Sequence, residues 1–264
     1  DFYLGCVGQH LEQGKNLARL TLLLAGLPQS IPGATVNRLC SSSLSALQMA
    51  ADSIKAGNNS QMLVGGVEHL GHVPMTAALD YNSKLFDGFD FQWTNMGLTA
   101  EKIVEDFQIG REAQDLFTIE SNKRYFSAKE NGFFANEIIP MDLPDGQSVT
   151  DDQEPRLSTL EKLGELRTVF KEDGTITAAN SSGISDGACM AWIGNQSAVN
   201  QFGREPLVEI QNTVNIGLNP ETMGLGPVYA INKLLNKTGL TLDEIDLFEI
   251  NEAFAVQVLA CQQE

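Results

Sequence analysis

The chain has 264 residues, 42% hydrophobic and 19% charged, enough to bury a substantial core in one large or two closely associated domains, so disorder is not the default. Its 34 acidic against 17 basic residues give a formal charge of -17, which repels a phosphate backbone and argues against a nucleic-acid partner. An anionic small ligand would need a local basic or helix-terminal site within this acidic whole.

The chain opens at Asp1, directly before the apolar run Phe2 to Val7, which reads as a strand. A start without methionine at the edge of a strand predicts an earlier segment in the parent protein. Leu17, Leu20 and Leu24 recur at helical spacing and are closed by Gly26 and Pro28, so a core helix follows. The apolar stretch from Leu17 to Leu27 is interrupted by Arg19 and Thr21 and is about half the length of a membrane span. Neither a transmembrane segment nor a secretory signal is expected.

Ala34 to Val36 reads as the second strand. Leu44, Leu47, Ala51 and Ile54 form one face of a helix that ends at Gly57, and Met62 to Val64 forms a third strand that breaks at Gly65-Gly66. Strands and helices alternating at this spacing predict a parallel sheet covered on both faces. From Leu70 to Ile184 the pattern turns longer, more polar and irregular, with one clear helix near Glu112 to Glu130 ended by Gly132 and a solvated charged loop from Asp142 to Glu154. This segment reads as an insertion. Beyond it, Leu207 to Val214 and Ile245 to Ile250 read as strands, Val228 to Leu235 as a helix, and another helix starts at Ala253. The strand-to-helix units near Asp1 and Asp246 share a loose pattern that suggests an internal duplication.

Cys40 sits where the extended segment Val36 to Leu39 gives way to a helix with Ser41, Ser42 and Ser43 in its first turn. Backbone N–H groups and the helix dipole there favour a thiolate and offer donors for an oxyanion; an inert buried cysteine is the alternative. Asn251-Glu252 follows an apolar strand, at the end where open α/β sheets bind ligands, and capping of the next helix is the alternative. Cys6, Cys40, Cys189 and Cys261 are widely spaced with no zinc-like grouping, which reads as a cytoplasmic protein with free thiols. His69 and His72, three apart, lack a third ligand at suitable spacing, so structural hydrogen bonding is expected and no metal site. The glycines of Met223 to Pro227 lack a P-loop lysine and read as a turn with Pro227 at the first helical position.

Taken in order, these segments resemble the thiolase family along nearly the whole chain, with the thiolase subunit of bacterial fatty-acid oxidation complexes as the nearest likeness. The segments are Gly5-Cys6-Val7, Leu11 to Gly14, Val36 to Cys40, Val64 to His69, Gly71 to Met75, Met96 to Glu101, Asn136 to Pro140, Ser182 to Gly187, Met223 to Val228 and Asn251 to Ala255. The resemblance implies an α/β fold layered α/β/α/β/α, in two similar halves with an inserted loop domain. The first half would take residues 1–69 and 185–205, the insertion 70–184 and the second half 206–264. It implies a homodimer or tetramer, with a hydratase and dehydrogenase subunit as a possible further partner.

The resemblance also implies acyl transfer from a 3-ketoacyl-CoA to CoA in fatty-acid β-oxidation, with CoA as substrate and no resident cofactor. Cys40 matches the family's nucleophile, Asn251 the asparagine that holds an oxyanion-hole water, and Ser182 and Met96 positions along the pantetheine channel. Arg156 is the candidate for the adenine-nucleotide end. The residue after the nucleophile is commonly glycine in the family and is Ser41 here, beside the acyl pocket. The family's catalytic histidine, in a Gly-His-Pro motif, and its second cysteine lie beyond the segment matched by Asn251. No histidine follows His72, so a chain truncated at both ends, and inactive alone, is expected. Cys40 to Leu47 is also similar to β-ketoacyl synthases, but their downstream histidines are absent; a non-catalytic acyl-CoA binder is the remaining alternative.

Overall fold

The computed structural model describes residues 1–77 and 79–264. Its strands and α-helices run β1 (Phe2–Gly5), α1 (Leu17–Leu24), β2 (Gly33–Val36), α2 (Ser42–Lys55), β3 (Gln61–His69), α3 (Met96–Phe107), α4 (Arg111–Glu130), β4 (Met141–Asp142), β5 (Ser148–Val149), α5 (Leu160–Gly164), β6 (Asp186–Gly194), α6 (Gln196–Phe202), α7 (Gly226–Thr238) and α8 (Ala255–Gln263). They form two compact units, Asp1–Asn82 with Ile184–Thr213, and Ser83–Gly183 with Val214–Glu264. No helix among the described residues is long and apolar enough to cross a membrane.

The first unit is built on a four-stranded sheet in the order β2-β1-β3-β6. β1 is parallel to both β2 and β3, as the alternation of strands and helices predicts. Strand side chains alternate between faces, and the sheet is covered on both. Phe2 and Leu4 pack with Ala18 and Leu22 of α1, while Met62 and Val64 pack with Ala50 of α2 and with Tyr3. Within α1 the inward face runs through Ala18 and Leu22, whereas Leu20 and Leu24, expected inside, are 48% and 91% exposed.

Two expectations for this sheet fail. It is mixed, because β6 pairs antiparallel with β3 along its whole length, from Gln61 opposite Gly194 to His69 opposite Asp186. β6 is mostly exposed, so no buried apolar run announces it. And β3 does not break at Gly65-Gly66 but continues to His69. A Cβ at Gly65 would stand 2.5 Å from the Cys189 carbonyl oxygen, and one at Gly66 would overlap Ser43 Oγ. These glycines admit a neighbouring strand and a helix at close range rather than ending the strand.

The second unit centres on α3, α4 and α8, whose core gathers Ala100, Ile103, Ile109, Ile176, Phe254, Val256 and Ala260. α4 is the helix expected near Glu112 to Glu130, and Gly132 follows it at φ 72°. α3 is a second helix in the segment where one was expected. Its start is marked by Asn95, whose side chain accepts from the Gly97 and Leu98 amides, a cap that satisfies donors the first turn leaves open. Part of the charged stretch from Asp142 to Glu154 folds as the β4–β5 hairpin, with Gly146 at φ 85° in its turn.

Neither Leu207 to Val214 nor Ile245 to Ile250 forms a strand. Among the described residues these segments have no ladder partner, and Leu207, Val208 and Leu247 are 100%, 80% and 81% exposed. Apolar and β-branched content makes a strand only when a second strand accepts its backbone groups. α7 carries Pro227 in its first turn, as expected, and α8 starts two residues after the expected Ala253.

Candidate active site

Cys40 lies in the five-residue turn 37–41 between β2 and α2, which is held by local bonds and by one bond to the loop after β1. Asn37 Oδ1 accepts from the Leu39 amide at 2.9 Å, and Asn37 Nδ2 donates to the Val7 carbonyl at 3.2 Å. The Ser41 amide donates to the Arg38 carbonyl and the Ser42 amide to the Leu39 carbonyl, at 3.1 and 2.9 Å. Ser42 Oγ closes the turn from inside, accepting from the Arg38 amide at 2.8 Å and donating to the Leu39 carbonyl at 2.6 Å. Leu39 adopts φ 49°, a left-handed conformation costing a non-glycine residue about 1–2 kcal/mol. The thiol that follows is exposed. Ser41 occupies the N-cap of α2 without a side-chain capping bond, so of the three serines it is Ser42 that organises the turn.

The height of this turn above the sheet is set by two glycines. A Cβ at Gly5 would collide with the backbone of Ser42 and Ser43, as one at Gly66 would with the Ser43 side chain. The start of α2 therefore rests directly on the end of β1 and the middle of β3, which fixes the helix terminus that Cys40 precedes.

In the second unit the segment 180–182 runs antiparallel to 253–255. The Ser182 amide donates to the Ala253 carbonyl and the Ala255 amide to the Asn180 carbonyl, both at 2.9 Å. Ser182 thus lies against the segment that carries Asn251, and both side chains are exposed. Glu252 accepts from Ser121 Oγ of α4 at 2.7 Å. Met96 is half-buried against the core cluster that contains Phe254 and Ala253, so it belongs to the same neighbourhood. The Arg156 amide donates to Asn122 Oδ1 of α4 at 2.7 Å, one residue along α4 from the Ser121 that bonds Glu252, and its side chain is exposed.

Two buried carboxylates hold the loop that leads to Ser182. Glu101 accepts from the amides of Thr175 and Ile176, each at 2.8 Å. Asp115 pairs with Arg111 Nε at 2.8 Å and accepts from Asn180 Nδ2 at 3.3 Å. Sequence reasoning missed them because the loop groups they hold lie 65 to 75 residues away, even though Asp115 also has a local partner in Arg111.

At the far end of β3, Glu68 performs a similar task. It accepts from the Val7 and Gly8 amides at 2.8 and 3.0 Å and from Gln13 Nε2 at 3.0 Å. Burial, and then the Glu68 carboxylate, push the Cys6 thiol up to about 11, which marks this cysteine as inert. Next to Glu68, the fold brings Glu12 to the histidine pair that lacked a third polar partner in sequence. Glu12 Oε1 lies 3.0 Å from His69 Nδ1 and 2.5 Å from His72 Nδ1. The hydrogen bond from His72, then that of its own backbone amide and that from His69, hold the Glu12 carboxyl down at about 2.

Residues 1–197 match the family described as the thiolase N-terminal domain, and residues 204–264 the thiolase C-terminal domain. The chain is 44% identical to the 3-ketoacyl-CoA thiolase of Aliivibrio fischeri, covering 99% of this chain and 69% of that protein. A 3-ketoacyl-CoA thiolase of Citrobacter koseri is 43% identical over the same shares. Among solved structures, the dimeric peroxisomal thiolase of Saccharomyces cerevisiae superposes with a TM-score of 0.90 at 36% identity, over 99% of this chain and 68% of that one. An acetyl-CoA acetyltransferase from Syntrophomonas wolfei gives 0.87 at 32% identity, over 100% and 70%.

Proposed function

The chain belongs to the thiolase family, and from that premise we propose that Cys40 is the nucleophile of a 3-ketoacyl-CoA thiolase acting in fatty-acid β-oxidation. The observation that carries this reading is the exposed thiol on a turn whose shape Ser42, Gly5 and Gly66 determine. A nucleophile needs an accessible atom on an immobile support.

In the proposed reaction the Cys40 sulfur attacks the 3-keto carbon and the bond between the α and β carbons breaks. The acyl group stays on sulfur as a thioester, and acetyl-CoA leaves as its enolate and takes up a proton. The thiolate of a second CoA then attacks the thioester carbonyl, which releases the shortened acyl-CoA and restores the Cys40 thiolate. Asn251 would hold a water against the developing enolate oxygen, where a preorganised donor counts most. Ser182 and Met96 would line the channel of the pantetheine arm, which their shared neighbourhood with the Asn251 segment supports. Arg156 is proposed at the nucleotide end, where its exposed cation would meet phosphate. The layered arrangement of two halves and assembly into dimers belong to the same proposal; the yeast relative is described as dimeric.

These 264 residues contain no histidine after His72, so we propose that alone they acylate at Cys40 at most and do not turn over. Mass spectrometry after incubation with acetoacetyl-CoA tests the first claim: an acetyl group on the Cys40 peptide, absent in Cys40→Ala, is expected. Acetylation spread over several cysteines would overturn it. Adding CoA tests the second, and turnover matching a complete thiolase would overturn that.

A further inference from the structure

Glu12, His69 and His72 are the one group of three ligand-type side chains among the described residues whose donor atoms converge, all within 4.8 Å of one another. Each is held by its backbone. His69 closes β3 directly opposite Asp186 of β6. His72 follows in a turn where its amide and that of Val73 donate to the His69 carbonyl, at 3.3 and 2.8 Å. Glu12 lies in the short helical turn Leu11–Gln13. That turn is tied down by Gln13, which donates to the Gly8 carbonyl at 2.8 Å and accepts from the His69 amide at 2.6 Å.

The two faces of the His69 ring edge meet different carboxylates. Asp186 is oriented by the Gly71 amide, which donates to its Oδ1 at 2.8 Å, and its Oδ2 stands 3.5 Å from His69 Nε2. A carboxylate only accepts, so the closer partner, Glu12 Oε1 at 3.0 Å, takes the ring proton on Nδ1. A metal cation that replaces this proton at Nδ1 moves the ring proton to Nε2, where Asp186 Oδ2 stands ready to accept it. An imidazole whose outer nitrogen is held by a carboxylate while the inner one faces further ligands is the pattern by which proteins orient metal-binding histidines.

We propose that Glu12, His69 and His72 form a site for a divalent transition-metal ion, Zn²⁺ being the best match, with Asp186 orienting His69. Two imidazole nitrogens and one carboxylate oxygen are a ligand set that zinc takes in four-coordinate sites, with water in the fourth position. Bonds of about 2.0 Å in tetrahedral geometry separate neighbouring ligand atoms by about 3.3 Å. The separations of 3.0 and 2.5 Å from Glu12 therefore need to widen only by small side-chain rotations. The three side chains are 44% to 61% exposed, which permits those rotations and gives an ion direct entry. This site is separate from the acyl-transfer reading and stands or falls without it.

The test is titration of Zn²⁺ into the untagged chain against a chromophoric chelator, followed by Co²⁺ spectroscopy. One equivalent bound in the micromolar range is expected, with a Co²⁺ spectrum free of thiolate charge transfer. His72→Ala and Glu12→Gln should each weaken binding by at least tenfold. Asp186→Asn should weaken it by about tenfold while the stoichiometry stays at one. All four side chains are exposed, so the variants should keep the wild-type circular dichroism. His72→Gln, which keeps the polarity and loses the ligand nitrogen, repeats the test if His72→Ala does not. Absence of saturable Zn²⁺ binding, which would leave protons alone between these groups, would overturn the proposal. Unchanged affinity in His72→Ala and Glu12→Gln, or a thiolate band in the Co²⁺ spectrum, would do so equally.

Discussion

Ser43 Oγ of α2 occupies the space that the Cβ of any larger residue at Gly66 of β3 would fill. The relationship ties the first turn of the helix after Cys40 to the middle of the sheet, so the position of the thiol depends on an atom that is missing two strands away. Gly66→Ala should destabilise the chain by about 1–3 kcal/mol through overpacking and slow alkylation of Cys40. Chemical denaturation and iodoacetamide kinetics measure the two effects. Ser43→Gly, added to Gly66→Ala, should recover part of both; no recovery would place the damage elsewhere.

Cys6 and Cys40 differ in burial, and their chemistry should follow. With its thiol pushed up to about 11, Cys6 is about one part in a thousand thiolate at pH 8. It should resist iodoacetamide at that pH until the chain is unfolded, while the exposed Cys40 labels in the native state. Above pH 9 the unfolded chain loses the Cys6 proton and the folded chain keeps it, so the unfolded state binds fewer protons and stability falls with rising pH. That loss should run from pH 9 to about 11 and be absent from Cys6→Ala, as paired denaturation curves would reveal.

The left-handed Leu39 gives a conformational test of the turn. Leu39→Val puts a branched side chain at φ 49° and should cost about 1 kcal/mol or more, whereas Leu39→Asn should be near neutral because asparagine tolerates this region. The Leu39 side chain is 66% exposed, so lost packing contributes little to either result. Equal stability of the two variants in urea would remove strain as the explanation.

In the second unit, the Arg111–Asp115 pair should be most sensitive to losing one partner. Asp115 is 1% exposed, and Arg111 also donates to the Leu163 and Leu166 carbonyls. Arg111→Ala removes the cation from a buried carboxylate that keeps its bond from Asn180, and should cost about 3–5 kcal/mol. Adding Asp115→Asn removes the buried charge and should restore a measurable part of that loss. A double variant less stable than Arg111→Ala would contradict the account.

Much of the fold was legible because its signals are local. Helical spacing located α1 and α2, although the buried face of α1 runs through Ala18 and Leu22 and not through Leu20 and Leu24, short apolar runs located the parallel strands β1 to β3, and Gly132 marked the end of α4. β6 and α3 escaped: the first is exposed and meaningful only beside β3, and the second sits in a polar segment whose inward residues face α8 and the 220–225 turn. The opposite error, strands expected at Leu207 to Val214 and Ile245 to Ile250, came from reading apolar content without a partner strand.

By itself, then, the sequence determined the family, through ordered segments whose residue types and distances recur, and it located Cys40 at a strand-to-helix junction. Only the tertiary structure decided what those segments are for. Glu68 binds the loop after β1, Glu101 and Asp115 hold the approach to Ser182, Gly66 makes room for Ser43, and Glu12 meets His69 and His72. Each of these depends on groups more than twenty residues apart converging within a few ångströms. Spacing along the chain fixes which face of an element a side chain occupies, but the distance between two faces is set by how the elements pack.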